Sequence, residues 1–391
     1  MSFNRIINVL KSPELVVTIQ EYFGVKYIYD HSSYNNDNTL TRNRRVNIPK
    51  EYISFHKDYL IVNKFWYWVF IVGTELGDEL FYATFIPFWF WNIDGAVGRR
   101  VIFLWSIIMY IGQALKDIIR WGRPGPPVIK LQSKWSVEYG FPSTHAMVAV
   151  SIPFSVLIFT QYRYIYPVSI GLIISMLWSS VVCLSRLYLG MHSVLDVIAG
   201  IMLTIVLMTF LVPLVDMLDI PIIETWYSPI IILTFSILMI YYYPQSDKWT
   251  PTRGDTTMTV SVCVGLQIGA WLNYHMGYLI APDALPLYEI IWPNYQMFGL
   301  LILRTVIGLC CIVATRALGK TVSYAFVCAI LGRNEKDVKN SENTLENKHK
   351  TTVELVHKYF TYGLIGFNTQ FLLPNVFKIL DIGRPDFYTE M

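Results

Sequence analysis

Charge is what this 391-residue chain has least of. Only 15% of its residues are Asp, Glu, Lys or Arg, against roughly 25% in soluble globular proteins. The shortfall runs through most of the chain and excludes an ordinary soluble domain. The charges present nearly cancel, to +3 at neutral pH, so no polyanion-binding surface and no nucleic-acid partner is expected. Cysteine is scarce as well. Cys183, Cys263, Cys310, Cys311 and Cys328 all sit in apolar runs without ligand spacing. They read as packing residues, not as a disulfide or metal framework. There is no Asn-x-Ser/Thr sequon, and no internal repeat is visible. The N-terminus lacks a short apolar core followed by a small-residue cleavage site, so no removable signal peptide is expected.

Apolar sequence is abundant: 54% hydrophobic, 15% aromatic, mean hydropathy +0.41. A membrane span takes roughly 20 apolar residues. Candidates lie at 65–92, 101–116, 146–160, 167–184, 194–216, 228–243, 257–273, 297–315, 320–332 and 361–380. Backbone facing lipid must satisfy its own hydrogen bonds. The fold class is therefore all-α, a polytopic transmembrane helical bundle of about 8–10 spans. Residues 1–60 read as a polar N-terminal tail with a short helix near Glu14–Tyr22, a polar tract Ser32–Asn38 and the basic cluster Arg42, Arg44 and Arg45. Residues 61–245 read as the core, and 246–391 as additional helices interrupted by a basic loop at about 333–358. Glu75, Asp78 and Glu79 interrupt the first candidate, which is one span or two short ones.

Three polar constellations stand at span boundaries. In the first, Lys116, Arg120 and Arg123 are spaced i, i+4, i+7, which puts three cations on one helix face. Gly122 and Pro124 then stop the helix. Alone, this is the basic cluster that commonly flanks a span. In the second, Phe141-Pro-Ser-Thr-His145, Pro142 and Ser143 can start the helix of the next span, with Ser143 or Thr144 as cap. A helix N-terminus offers free N–H groups to a phosphate, and His145 falls in its first turn. In the third, Ser185-Arg186 is followed by His192 and Asp196. His192 and Asp196 are i, i+4 and can face one another on one helical side. An aspartate on one ring nitrogen leaves the other free to attack. The first two constellations bracket one loop. Two further spans, 146–160 and 167–184, return the chain to that side for the third. Topology thus brings all three to one face.

In order, these residues match the signature of the type 2 phosphatidic acid phosphatase (PAP2) superfamily: K-x6-R-P, P-S-x-H and S-R-x5-H-x3-D. The text between the motifs is similar to the sphingosine-1-phosphate phosphatases, notably Pro142-Ser-Thr-His-Ala-Met, Cys183-Leu-Ser-Arg-Leu-Tyr-Leu-Gly-Met-His-Ser-Val-Leu-Asp196 and Thr252-Arg-Gly-Asp-Thr256. The resemblance covers roughly residues 60–280. It implies a six-helix catalytic core and metal-independent hydrolysis of a lipid phosphate monoester, most specifically sphingosine-1-phosphate, through a phosphohistidine. His192 is then the nucleophile, Asp196 its support, and His145 the acid and later the base. Lys116, Arg123, Arg186, Ser143 and Thr144 hold the phosphoryl oxygens.

The chemistry is consistent with this. Phosphoryl transfer needs mainly positioning and charge stabilisation, which three cations supply. No bimetallic cluster of Asp, Glu and His stands near the motifs, so neither metal nor cofactor is expected. A broader phosphatase of phosphatidic or lysophosphatidic acid, or a polyprenyl diphosphatase, shares the motifs. A silent binder or transporter of anionic lipid, or an ion channel built on Glu75, Asp78, Glu79 and Arg304, is the alternative of another class. Arg304 reads instead as a packing residue. Trp121 and Trp135 read as interfacial belt residues, Arg253–Asp255 as a capped turn with a possible part in the entrance, and His275 as interfacial. The basic tail favours a cytosolic N-terminus. One span at 65–92 then puts the site on the tail's side, and two put it opposite. The resemblance implies the opposite, lumenal side of the endoplasmic reticulum membrane.

Overall fold

A computed structural model describes residues 3–27, 55–56, 59–132, 134, 136–281 and 287–391. The polar tract, the Arg42–Arg45 cluster and Trp135 lie outside these residues. Helices α1 (Phe3–Lys11) and α2 (Pro13–Tyr22) open the chain. A small antiparallel sheet follows, of β1 (Val25–Tyr27), β2 (Phe55–His56) and β3 (Tyr59–Ile61), with β3 central. Next come α3 (Lys64–Glu75), α4 (Glu79–Asn92), α5 (Gly95–Ile119), α6 (Thr144–Gln161), α7 (Val168–Tyr188), α8 (Val194–Glu224), α9 (Ser228–Tyr241) and α10 (Thr252–His275). The chain closes with α11 (Tyr295–Ile330), α12 (Glu335–Asn340), α13 (Lys348–Phe367) and α14 (Leu373–Ile379). Among the described residues, α5, α6, α7, α8 and α11 are long and apolar enough to cross a membrane. Buried Leu104, Ile108, Met147 and Val215 pack α5, α6 and α8 together.

The helices begin where side chains take over the free N–H groups of the first turn. Asp78 starts α4, Asp94 starts α5 and Asn294 starts α11. Asp78 also explains why the expected span at 65–92 is two helices, broken at Leu76–Asp78. Elsewhere the helices run longer than the apolar pattern. The two candidates at 297–315 and 320–332 are one helix of 36 residues. Its polar interruption does not break it, and Thr315 and Thr321 satisfy their hydroxyls within the helix, on the carbonyls of Cys311 and Ala317 four residues back. The candidate at 361–380 begins earlier, at Lys348, and passes through a π-helical turn at Asn368–Leu372 before α14.

The contacts fix which ends lie together. The Gln20 amide group donates to the carbonyls of Ile129 and Tyr188 and accepts from Ile129 N–H. Lys11 Nζ sits 4.0 Å over the Trp121 ring. The described start of the N-terminal segment is thus docked on the loop that joins α5 to α6. Thr74 of α3 meets Arg186 near the end of α7, so α3 stays at this end of the bundle. From there α4 runs to the other end, where Trp91 packs on Phe377. The N-terminal helices and the cationic motifs consequently share an end. The polar segment around α12 lies at this same end, because Lys358 of α13 pairs with Asp255 at the start of α10.

Candidate active site

The last turn of α5 carries Lys116, whose side chain is buried. Its Nζ donates to Thr144 Oγ1 at 2.9 Å and to Glu138 Oε2 at 2.8 Å. The expected row of three cations does not form. Arg120 ends the helix in a left-handed conformation, φ 59°, and its guanidinium turns away to the carbonyls of Asp117 and Gln245. Arg123 instead returns from the loop. Its Nη1 donates to Met191 O at 2.8 Å and approaches His192 Nε2 at 3.3 Å, while its Nε donates to Glu138 O.

Ser143 caps α6 and leaves Thr144 and His145 in the first turn, as its position before the apolar run predicts. Its backbone N–H donates to Asp196 O at 3.1 Å, which ties the second constellation to the third. The break between α3 and α4 closes over His145: a Cβ on Gly77 would lie 3.1 Å from His145 Cδ2. His145 stands within electrostatic reach of Arg186, His192, Lys116 and Arg123.

Between α7 and α8 the chain makes a tight turn through Gly190 at φ +67°. A Cβ there would lie 2.2 Å from Ile129 O, so only glycine fits. The turn places His192 ahead of α8 and not on it. His192 and Asp196 therefore do not share a helix face as their spacing suggested. Asp196 closes a capping box with Ser193, accepting from Ser193 N–H at 2.7 Å. Its Oδ2 lies 3.8 Å from His192 Nδ1, close but beyond a hydrogen bond.

The state of His192 follows from its neighbours. Burial pushes its imidazole well below the usual histidine range, and the charges of Arg123, Arg186 and Lys116 push the same way. The ring is neutral. A guanidinium only donates, so Nε2 accepts from Arg123 and carries the lone pair. The ring proton then sits on Nδ1, on the side of Asp196.

Arg186 is fully buried in the last turn of α7. Its Nη1 donates to Thr74 Oγ1 at 2.6 Å and to Gln132 Oε1 at 3.1 Å. Among the described residues, its Nε and Nη2 have no hydrogen-bond partner. A buried cation with two unused donors is a costly arrangement unless an anion completes it.

All eight residues singled out in the sequence gather here: Lys116, Arg123, Ser143, Thr144, His145, Arg186, His192 and Asp196. Thr74, Gln132 and Glu138 were missed. Glu138 had a signal, as the sole acidic residue between Arg120 and Ser143. Arg253–Asp255 is not the capped turn expected: it lies in the first turn of α10, whose start has no side-chain cap. Thr252, Thr250 and Tyr243 send hydroxyls to Asp117, and Arg253 donates to Ile240 O. Arg304 is a packing residue, bonded to Asn92 and Ile382 O.

The chain matches the PAP2 superfamily over residues 98–219. It is 41% identical over 319 residues to sphingosine-1-phosphate phosphatase 1 of Rattus norvegicus, covering 81% of this chain and 73% of that protein. It is 35% identical over 345 residues to sphingosine-1-phosphate phosphatase 2 of Homo sapiens, covering 87% and 83%. Lipid phosphate phosphatase delta of Arabidopsis thaliana is 26% identical over 204 residues, covering 50% and 49%. No solved structure matches the chain.

Proposed function

Because the chain belongs to the PAP2 superfamily, in the family of the sphingosine-1-phosphate phosphatases, we propose that it is an integral membrane phosphatase of sphingoid base phosphates that works through a phosphohistidine. The observation that carries this reading is that Arg186 has two unused donors among the described residues in the same buried site where the Arg123 guanidinium meets Nε2 of His192 at 3.3 Å.

A phosphate monoester brings close to two negative charges among Lys116, Arg123 and Arg186. Arg186 Nε and Nη2 form a planar fork suited to two phosphoryl oxygens. Lys116 acts as a point charge, with Thr144 and the positive N-terminal end of α6 beside it. His192 Nε2 attacks phosphorus, the N–P bond forms and the bond to the ester oxygen breaks. Asp196 stabilises the imidazolium through the Nδ1 proton. An alkoxide is a poor leaving group, so it takes a proton from His145. The incoming dianion favours the protonated form of that ring. Neutral His145 then takes a proton from water, which attacks the phosphohistidine and releases inorganic phosphate. The positioning and the charge come from side chains, so turnover in EDTA is expected. An endoplasmic reticulum membrane location accords with this family, and fluorescence of a tagged chain tests it.

The deciding experiment measures phosphate release by the detergent-purified protein in EDTA, from sphingosine-1-phosphate and from phosphatidic acid. Release from the sphingoid substrate, abolished by His192→Ala, is the expected result. Equal release from both lipids would make it a broad lipid phosphate phosphatase. Release untouched by His192→Ala would refute the nucleophile.

A further inference from the structure

Three buried cations around one pocket repel one another when no anion is present, and each has lost its hydration. Besides Asp196, which faces His192, the site holds a second carboxylate among the described residues, set directly against the cations. Glu138 is 4% exposed. Its Oε2 lies 2.8 Å from Lys116 Nζ and 3.9 Å from Arg123 Nη2. Its carbonyl accepts from Arg123 Nε at 3.1 Å. Its other oxygen, Oε1, is buried and has no hydrogen-bond partner among the described residues. One residue thus orients both Lys116 and Arg123, and its carboxylate takes up a lysine donor that a phosphoryl oxygen would use.

We propose that Glu138 is the internal counter-anion of the phosphate cage. In the resting site it neutralises part of the charge of Lys116 and Arg123 and holds them in place. When phosphate is bound, the carboxylate competes for Lys116 and repels the ligand. That competition lowers the affinity for inorganic phosphate, so the product leaves. Without the carboxylate, the pocket binds every phosphate dianion more tightly, the product included. Glu138 is a positioning residue, since it acts through Lys116 and Arg123. The inference rests on the phosphatase reading above.

The test is the series Glu138, Glu138→Asp and Glu138→Gln, read by competitive inhibition with inorganic phosphate and by KM and kcat on sphingosine-1-phosphate. Glutamine keeps the shape and loses the charge. Aspartate keeps the charge but draws it back from Lys116. Removal of one like charge from a buried site is worth about tenfold in affinity. Glu138→Gln is therefore expected to lower the phosphate Ki by about tenfold and to lower KM and kcat together. Glu138→Asp should fall between it and the wild type. Where a variant binds but does not turn over, the rise of Tm with added phosphate reads the same affinity. A scaffolding role would lower kcat or Tm without tightening phosphate. An unchanged or weaker phosphate affinity in both variants would overturn the counter-anion. A wild-type protein that releases no phosphate would instead refute the phosphatase reading, which the phosphate-dependent Tm keeps separate.

Discussion

The two ends of the bundle bury the same kinds of charge and arrange them oppositely. At the end away from the site, Arg99 is saturated: Nε and Nη2 meet the two oxygens of Asp219 at 3.3 and 3.2 Å, and Nη1 donates to Glu390 O. Arg163 pairs with Asp94 at 2.9 Å, and Arg384 pairs with Glu390. Asp94 also starts α5 and accepts from Tyr164. At the site end, Arg186 is as deeply buried as Arg99, yet no carboxylate meets its fork, and two of its donors have no partner among the described residues. A buried arginine matched to a carboxylate clasps the fold. One left unmatched beside a neutral histidine is set for an anion that comes and goes.

Substitutions should therefore separate chemistry from stability by end. The largest effect belongs to His192→Ala, expected to lower kcat by roughly 10⁴-fold or more with little change in Tm. Acid-quenched wild type incubated with radiolabelled substrate should carry a phosphohistidine that the variant lacks. Next, Arg186→Lys should lower kcat/KM by roughly 10²- to 10³-fold, because a point charge replaces a fork. Its Tm should hold, since no carboxylate loses a partner. Arg99→Met should do the reverse. It removes the two-pronged partner of the buried Asp219 and leaves it Arg100 Nη2 at 3.5 Å, at a cost of up to about 3–5 kcal/mol, while the folded fraction keeps its kcat/KM. If Arg186→Lys unfolds the protein and Arg99→Met only slows it, the contrast between the ends is wrong. A smaller effect follows from His145→Ala. The loss on an alkyl phosphate should exceed the loss on an activated aryl phosphate, whose leaving group needs no proton. Equal losses would remove His145 from the acid role.

The readable part of this molecule was the part set by chemistry. Residue types and spacings of the phosphate cage are dictated by what they bind, so His145, Arg186 and His192 stood out before any geometry was known. The parts that did not stand out depend on backbone choices and on contacts across space. Helical spacing promised that Arg120 would join Lys116, but a left-handed residue at the end of α5 sends its side chain away. The i, i+4 spacing of His192 and Asp196 suggested a helical pair, but Gly190 turns the chain so that His192 precedes the helix. Thr74 and Gln132 reach Arg186 from distant segments with no pattern of their own. Gln20 looked like part of a polar tail, whereas its amide docks the N-terminal helices beside Tyr188, within four residues of His192. Apolar runs located the helices but not their ends, as the single helix from Tyr295 to Ile330 shows.

The finest test of the difference between the ends is a shift along the pH axis. At the site end, burial and the charges of Arg123, Arg186 and Lys116 hold the imidazole of His192 below its ordinary value. The sign follows directly. A depressed value keeps the nucleophile neutral as the pH falls through about 6.5, so its protonation lowers kcat/KM only at more acid pH. Arg123 acts on His192 at 3.3 Å and is the first of the charges that oppose protonation. Arg123→Gln removes that charge, so the pKa should rise and the acid limb of kcat/KM should move to higher pH. The acid limb set by the second ionisation of the substrate stays fixed and serves as the internal reference. A matched substitution at the other end, such as Arg163→Gln, removes a charge that Asp94 already neutralises, and its profile should overlay the wild type. If both substitutions move the limb equally, the field at His192 comes from net charge at any distance. If only Arg123→Gln moves it, the field is local to the site end.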